Sequence, residues 1–376
     1  MKAATRQWHI VAGLCCLMAV GAGLGFVAGR YSIIRTFETK IEGFARGFTL
    51  GPLLTKAEKK GIGRVYSDGD DILAKLNDIS WSVPNVPAPF VGNIPAPGVY
   101  RGARINSMQF RADRELPIPK PDRTFRIFLT GGSTAYGSGS PDQARTIGGY
   151  LAELLKNDLA PRTGMNYEVF TMANPAWAST HERIMIENRL SELDPDLVIS
   201  FSGTNDVHWG ILGKDVFWFR TYADDFFQAL IRGVYRLTDR EIPEIIPPAT
   251  PEDIPPPLVA RKLVKNVKLS AFALAQTDVD YVFVLQPTLA TTGKRLTGRE
   301  RKYLRYRDYF RECYDRIDSG LRDMHADNFT YINLAGVFDR LGDQDDIFLD
   351  SYHFGDKGNE MVAQQIYSHL KEKNLK

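Results

Sequence analysis

Residues 125–137, FRIFLTGGSTAYG, decide the fold that this chain is predicted to adopt. The first six residues are near-continuously apolar and β-rich, as in a parallel strand that helices cover on both faces. The glycine-rich residues that follow place Ser133 directly after that strand, where open α/β sheets bind their ligands. Ser133 is therefore a candidate nucleophile, because the glycines allow a tight turn that would expose its hydroxyl. A glycine-serine turn in an ordinary loop is the alternative.

The rest of the chain repeats this alternation of strand and helix. Four further apolar segments predict strands at residues 167–172, 197–201, 281–285 and 330–334. Helices are predicted at residues 146–159, 179–193, 257–276, 297–325 and 355–371. Five strands joined by crossover helices predict an α/β fold with a parallel, doubly wound sheet.

A second polar motif follows the third predicted strand. Residues 202–206 read SGTND, and the Asn205 amide can donate a hydrogen bond to a developing oxyanion. In the common 2-1-3-4-5 strand order, the first and third strands flank the point where the order reverses. Ser133 and Asn205 would then face one crevice. The structural alternative is an Asx turn that ends the strand.

A third motif, DSYH at residues 350–353, lies shortly after the fifth predicted strand. A carboxylate three residues before a histidine can bind its Nδ1 and hold the tautomer that acts as a base. Of the six histidines, only His353 has both this preceding Asp350 and this position. The pair supplies the base that Ser133 lacks, although a lone Asp–His pair is more often a surface hydrogen bond.

Together, the three motifs resemble the sequence blocks of the SGNH (GDSL-like) hydrolase family. The first block, usually Gly-Asp-Ser, stands here as GGS at 131–133; the third, Gly-x-Asn-Asp, is GTND at 203–206; the fifth, Asp-x-x-His, is DSYH at 350–353. The resemblance runs from residue 125 to the C-terminus, and residues 105–126 look like the lead-in of bacterial envelope members. It implies a three-layer α/β/α fold and a serine ester hydrolase or O-acyltransferase that needs no cofactor and no metal.

The resemblance also implies a role for each catalytic residue. Ser133 is the expected nucleophile, His353 the base and Asp350 the residue that orients His353. The N–H of Ser133 and the side chain of Asn205 are expected to bind the oxyanion.

The chain departs from the family pattern at two positions. Gly132 stands where the family usually has aspartate. The second block normally supplies a glycine whose N–H completes the oxyanion hole, whereas residues 174–179 read NPAWAS. Counting places that glycine at Ala178 or Ser179, and because the donor is a backbone N–H, a small side chain is compatible with the role.

The N-terminus predicts a membrane helix. Residues 8–29 contain no Asp, Glu, Lys or Arg, and about 20 apolar residues are enough to span a bilayer. A cleaved signal peptide is the competing interpretation, because Lys2 and Arg6 form a basic start; the apolar stretch is longer than the roughly 7–15 residues usual there. The flanking charges leave the orientation open, and the resemblance to envelope members favours a catalytic domain on the periplasmic or extracellular side.

The organisation of the remaining chain is predicted from its composition. Proline-interrupted residues 31–122 are interpreted as a spacer that packs on the main domain at its end, and the domain at 123–376 carries an insertion at 207–257. The aromatics at positions 209, 217–219, 226 and 227 are expected to line a sugar- or acyl-binding wall, to touch the bilayer, or to pack the insertion against the core. The basic run at 294–311 binds a polyanionic glycan or lipid headgroups, or forms a solvated helix face.

Composition narrows the function classes further. With 47 Lys and Arg against 45 Asp and Glu, a net charge of +2 gives no general field that would attract nucleic acid. Three cysteines form neither a disulfide framework nor a cysteine-rich metal site.

Three hypotheses for the function follow. The first is a membrane-anchored esterase or O-acyltransferase that acts on acyl esters, above all O-acetyl groups, of an envelope glycan. A membrane O-acyltransferase or export complex would be its partner. The second is a lysophospholipase or thioesterase, and the third is a catalytically weak module that acts as an assembly partner in an envelope complex.

Overall fold

The computed structural model describes residues 14–35, 47–213, 234–235 and 254–372. Six short strands lie N-terminal to the main sheet: Phe48–Thr49 (β1), Ser80–Ser82 (β2), Asn85–Ala88 (β3), Gly92–Pro95 (β4), Gly98–Tyr100 (β5) and Ala103–Ile105 (β6). The main sheet consists of Thr124–Gly131 (β7), Asn166–Ala173 (β8), Leu197–Ser202 (β9), Asp280–Leu285 (β10) and Phe329–Asn333 (β11). Its strands are parallel in the order β11–β10–β9–β7–β8, which is the doubly wound 2-1-3-4-5 order.

Helices flank this sheet on both sides. The α-helices of the described chain are Leu14–Arg35 (α1), Leu50–Leu53 (α2), Lys56–Lys59 (α3), Ser133–Tyr136 (α4), Ile147–Leu154 (α5), Ala160–Thr163 (α6), Ser179–Met185 (α7), Thr204–Ile211 (α8), Pro256–Ala275 (α9), Arg307–Arg322 (α10) and Asp356–Glu372 (α11). Two of them continue as π-helical turns, α5 at Leu155–Leu159 and α7 at Ile186–Leu190.

The central strand β7 shows why its sequence reads as continuously apolar. Ile127 and Leu129 belong to the core that α5 and α11 cover, whereas Phe128 belongs to the core that α7, α9 and α10 cover. Successive side chains of a strand point to opposite faces, so a strand buried on both faces must be apolar at successive positions. The three-layer α/β/α fold expected from the sequence is confirmed.

The predicted helix at residues 297–325 is wrong in its first third. A short 3₁₀ turn, Glu300–Tyr303, comes first, and α10 begins only at Arg307 because Tyr306 adopts a left-handed conformation (φ 51°). Upstream, the buried side chains of Lys294 and Glu300 form an ion pair at 2.7 Å. The first residues of the basic run at 294–311 are therefore fixed by buried contacts, and they do not form a solvated helix face.

The proline-interrupted segment packs against the sheet domain from residue 47 onward, and not only at its end. The Tyr66 hydroxyl donates to the carbonyl of Gly139, which follows the nucleophile turn, at 2.8 Å. The N–H of Ser67 donates to the fully buried carboxylate of Asp356 on α11 at 2.9 Å. This segment is therefore part of the folded body that surrounds the predicted site.

Helix α1 is long and apolar enough to cross a membrane, and none of it is buried against the rest of the chain. A signal sequence has the same properties. The amino-acid sequence predicts the membrane helix at residues 8–29, of which 8–13 lie outside the described residues. Most of the predicted insertion also lies outside them, including the aromatics at 217–219, 226 and 227.

One buried carboxyl on α7 has an unusual ionisation. Glu182 is 2% exposed, and burial raises its pKa to about 7; the hydroxyl of Ser202 partly offsets this effect, and the carboxyl of Asp206 adds to it. Between pH 4.5 and 7 the folded chain therefore holds a proton here that the unfolded chain has released. The contribution of Glu182 to the free energy of unfolding therefore falls as pH rises through this window.

We expect Glu182→Gln to remove this pH-dependent loss of unfolding free energy, because the amide cannot ionise. The variant should gain about 2 kcal/mol relative to the native chain at pH 8 and little at pH 4.5, measured by urea denaturation at both pH values. Glu192→Gln, at an exposed position beyond the same helix, is the control and should change neither value. An equal stability difference at both pH values would contradict the assignment.

Candidate active site

The nucleophile turn is shaped by a buried arginine from the N-terminal segment. Strand β7 ends at Gly131, and Ser133 opens the single-turn helix α4. The guanidinium of Arg111, 1% exposed, donates to the carbonyls of Tyr136 and Gly137 at 2.8 and 3.1 Å. The last carbonyls of a helix have no N–H partner within the helix. The donors of Arg111 therefore stabilise the end of the turn that carries Ser133.

The structure brings Ser133, His353 and Asp350 into one hydrogen-bonded chain. The Nε2 of His353 lies 2.7 Å from the Oγ of Ser133, and its Nδ1 lies 2.8 Å from the Oδ2 of Asp350. In this arrangement Nδ1 carries the proton donated to the carboxylate, and Nε2 accepts from the serine hydroxyl. The predicted spatial grouping of these three residues is therefore present.

A tight loop sets the orientation of this Asp–His pair. The Leu349 N–H donates to the His353 carbonyl at 2.7 Å and closes the loop. Within it, the Oδ1 of Asp350 accepts the N–H groups of Tyr352 and His353, both at 2.8 Å. Partial burial opposes ionisation of Asp350, but the charge of His353 and these donors outweigh it and lower the pKa of the carboxyl from its usual value. The carboxylate is thus held in its charged form.

A tryptophan from the N-terminal segment completes the surroundings of His353. The ring of Trp81, on β2, lies 4.5 Å from the His353 ring between centroids. The Ser138 hydroxyl, just beyond α4, donates to the Trp81 carbonyl at 2.5 Å. Sequence reasoning missed Trp81, since no motif marks it and its position depends on how residues 47–122 fold over the sheet.

Asn205 reaches the nucleophile turn from the end of β9. It lies in the first turn of α8, and its Nδ2 donates to the carbonyl of Trp177 at 2.7 Å. A Cβ added to Gly132 would lie 2.3 Å from that Nδ2 and 3.1 Å from the Trp177 carbonyl oxygen. A side chain at position 132 would have to displace the Asn205 amide, and glycine avoids this contact.

The two second-block residues predicted as oxyanion donors are already engaged. The N–H of Ala178 donates to Nδ1 of the buried His181 at 3.1 Å. The N–H of Ser179 donates to Oδ2 of the buried Asp206 at 3.0 Å. Neither group is available to a substrate oxygen, because the start of α7 uses both donors for its own capping. The geometry thus contradicts the counting that selected Ala178 and Ser179.

Ala176 is the residue of this loop that sequence counting passed over. The Asn174 N–H donates to the carbonyl of Gly131, and the Trp177 N–H donates to the carbonyl of Asn174. Pro175 has no N–H group. The Ala176 N–H has no acceptor in the part of the chain that the structure describes. Ala176 also has a φ of 68°, in the left-handed region that favours glycine. This backbone angle distinguishes Ala176 from Ala178, whose φ is -111°.

The comparisons with known proteins bear directly on this arrangement. The family model described as GDSL-like lipase/acylhydrolase matches residues 129–361, from β7 into α11. The chain belongs to the GDSL-like lipase/acylhydrolase family. The matched range of this acylhydrolase contains all four of the side chains discussed above that the family blocks predict: Ser133, Asn205, Asp350 and His353. No curated protein sequence matches the chain.

The solved structures that the chain matches have low sequence identity to it. The structure of TesA is 13% identical, with 66% of this chain and 98% of that chain covered and a TM-score of 0.40. A lipase/acylhydrolase from Enterococcus faecalis is 16% identical, with coverages of 66% and 96% and a TM-score of 0.40. The acetyl xylan esterase AlAXEase is 16% identical, with coverages of 65% and 100% and a TM-score of 0.35. Family membership rests on the sequence match, and these structures carry no argument about substrate.

The left-handed conformation of Ala176 generates a stability prediction. A non-glycine residue in this region costs about 1–2 kcal/mol, so Ala176→Gly should raise the free energy of unfolding by up to about 1 kcal/mol after the greater freedom of glycine in the unfolded chain is subtracted. Ala152→Gly, in the regular helix α5, is the control and should destabilise by about 1 kcal/mol. Urea denaturation measures both, and equal destabilisation would show that Ala176 carries no strain.

Proposed function

We propose that this GDSL-like acylhydrolase is a serine esterase or O-acyltransferase whose nucleophile is Ser133. The observation that carries the proposal is the chain of hydrogen bonds from Ser133 Oγ through His353 to Asp350, at 2.7 and 2.8 Å. As Oγ attacks the ester carbonyl carbon, its proton passes to Nε2 of His353, and the Asp350 carboxylate stabilises the imidazolium that forms. His353 then returns the proton to the departing alcohol. This leaves an acyl group on Ser133.

The second half of the reaction decides between hydrolysis and transfer. His353 removes a proton from an incoming hydroxyl, which attacks the acyl group and releases Ser133. Water as the acceptor yields an acid, whereas a sugar hydroxyl yields a new ester. The same residues perform both reactions, so the acceptor alone distinguishes an esterase from an O-acyltransferase.

We assign the oxyanion hole to three donors. The Ser133 N–H opens α4 and has no acceptor within that helix. The Asn205 amide lies against Gly132, and one of its two N–H groups is used on Trp177, which leaves the other for the substrate oxygen. The Ala176 N–H, in the loop beside that turn, is the third. Such preorganised donors stabilise the charge that develops on the carbonyl oxygen.

The proposed substrate is an O-acyl ester, above all an O-acetyl ester, of an envelope or exported glycan. The resemblance of the blocks to envelope members supports the glycan, and helix α1 supports a site held at a membrane, with the domain on the periplasmic or extracellular side. Helix α1 also favours a second candidate, a lipid ester, because an anchored domain would stay close to lipid. Assays with acetylated oligosaccharide and lysophospholipid separate these candidates.

The serine mechanism is tested by Ser133→Ala. We expect the rate of hydrolysis of p-nitrophenyl acetate to fall by about 10³-fold or more, because the alanine cannot form the acyl intermediate. Mass spectrometry after a fluorophosphonate probe should find the added mass on the peptide that contains Ser133. Ser319→Ala, at an exposed position of α10, is the matched control. Full activity or labelling in the Ser133→Ala chain would exclude the mechanism.

The role of Asn205 is tested separately. Asn205→Ala should lower kcat by about 10²–10³-fold with little change in KM, as expected for the loss of one oxyanion donor. Asn333→Ala, at the end of β11 on the same edge of the sheet, is the control and should keep kcat within about twofold. A change confined to KM would make Asn205 a substrate-binding residue instead.

A further inference from the structure

A cluster of cations lies on the surface beside the proposed active site. Its members, called here the basic rim, come from two segments, one around α3 and one before and at the start of α10: Lys56, Lys59, Lys60, Arg301, Lys302, Arg305 and Arg307. Six are exposed and Lys59 is half-buried. None forms an ion pair with a carboxylate of the described chain; the guanidinium groups of Arg301 and Arg305 donate only to backbone carbonyls.

The two segments of the basic rim are joined by one hydrogen bond. The Tyr303 hydroxyl donates to Oε1 of Glu58 at 3.0 Å, and the N–H and hydroxyl of Thr55 donate to its Oε2 at 2.8 and 2.7 Å. Glu58, the acidic residue among the rim lysines, is therefore engaged by these donors. Asp308 is the exposed carboxylate next to the rim, so cations remain in large excess.

The basic rim is also attached to the loop that carries Asp350 and His353. The Ser351 hydroxyl, between those two residues, donates to the Tyr303 carbonyl at 2.5 Å. A ligand bound to the rim would thus lie next to the side of the site where His353 exchanges protons with the alcohol and the acceptor.

The start of α10 carries cations as well as an acidic residue. Arg305 precedes the helix and Arg307 is its first residue, where cations oppose the helix dipole, whereas Asp308 in the first turn favours it. Its first flanking residue, Tyr306, is left-handed and provides no side-chain cap. Sequences that break local rules in this way do so mainly at functional sites.

We propose that the basic rim binds a polyanionic glycan and guides the acyl ester on that glycan to Ser133. This proposal rests on the proposed function for its catalytic half. In residues 56–60 and 301–307, Tyr306 is the single exposed large hydrophobic side chain. Lipid surfaces are usually bound by cations together with inserted apolar side chains, so the rim suits a solvated polyanion better than a bilayer.

Binding without catalysis tests the rim itself. The full chain carrying Ser133→Ala, in neutral detergent, should bind fluorescent polygalacturonate and not neutral dextran, and the affinity should fall steeply between about 50 and 500 mM NaCl as exposed charges are screened. Adding Lys302→Ser, Arg305→Ser and Arg307→Ser should weaken binding by about tenfold or more, since several unpaired cations are lost. Thermal unfolding should show that this variant folds, because its changes relieve repulsion at the helix start.

The matched control removes the same charge elsewhere. Arg261→Ser, Lys265→Ser and Lys268→Ser alter exposed positions of α9 and should leave the affinity for polygalacturonate unchanged. Equal weakening in both triple variants, or equal binding of dextran, would overturn the proposal. So would binding only to micelles containing phosphatidylglycerol that is lost in the rim variant, which would assign the rim to a lipid surface. Hydrolysis of p-nitrophenyl acetate by the native chain, measured separately, shows whether the serine mechanism fails independently of the rim.

Discussion

The proposed active site depends on the position of β7 in the sheet, because β7 ends between the carboxyl ends of β8 and β9. β7 pairs with β8 on one side and β9 on the other, and all three run parallel. Their carboxyl ends therefore meet at one edge, with Ser133, the loop at 174–178 and Asn205 directly beyond them. A strand order without β7 between β8 and β9 would place the same residues farther apart along that edge. Right-handed crossovers place the connecting helices on both faces of the sheet and leave this edge open.

The folded segment before β7 supports the site more than its composition suggests. Its residues stabilise the nucleophile turn from behind through Arg111, contact His353 through Trp81 and hold the following loop through Tyr66. These contacts reach across the sheet domain from a stretch that is only irregular and proline-rich in sequence. The catalytic groups thus occupy a surface shared by two parts of the chain, and neither part completes the site alone.

The departures from the family blocks have a common physical origin in close packing. Asn205 lies so near the backbone at Gly132 that a Cβ there would be 2.3 Å from its Nδ2. Several polar groups of the loop at 174–179 already form hydrogen bonds. The Trp177 carbonyl accepts from Asn205, and the N–H groups at the start of α7 donate to His181 and Asp206. This leaves one backbone donor, at Ala176, in a conformation more typical of glycine. Substitution in these blocks therefore changed residue types while the positions of the polar groups stayed compatible with ester chemistry.

The five strands of the main sheet and the residues of the three motifs can be recognised in the amino-acid sequence. A strand that is buried on both faces requires apolar residues at successive positions. The hydrogen bonds of Ser133, Asn205 and the Asp350–His353 pair require particular residue types at short spacings. The contact of Trp81 with His353 and the engagement of the second-block donors depend on the tertiary structure. A backbone N–H carries no side-chain signature, so whether Ala176, Ala178 or Ser179 is unengaged depends on partners such as His181 and Asp206 that fold in from elsewhere. The same holds for the helix predicted at 297–325, where the buried Lys294–Glu300 pair and the left-handed Tyr306 override local helical preference.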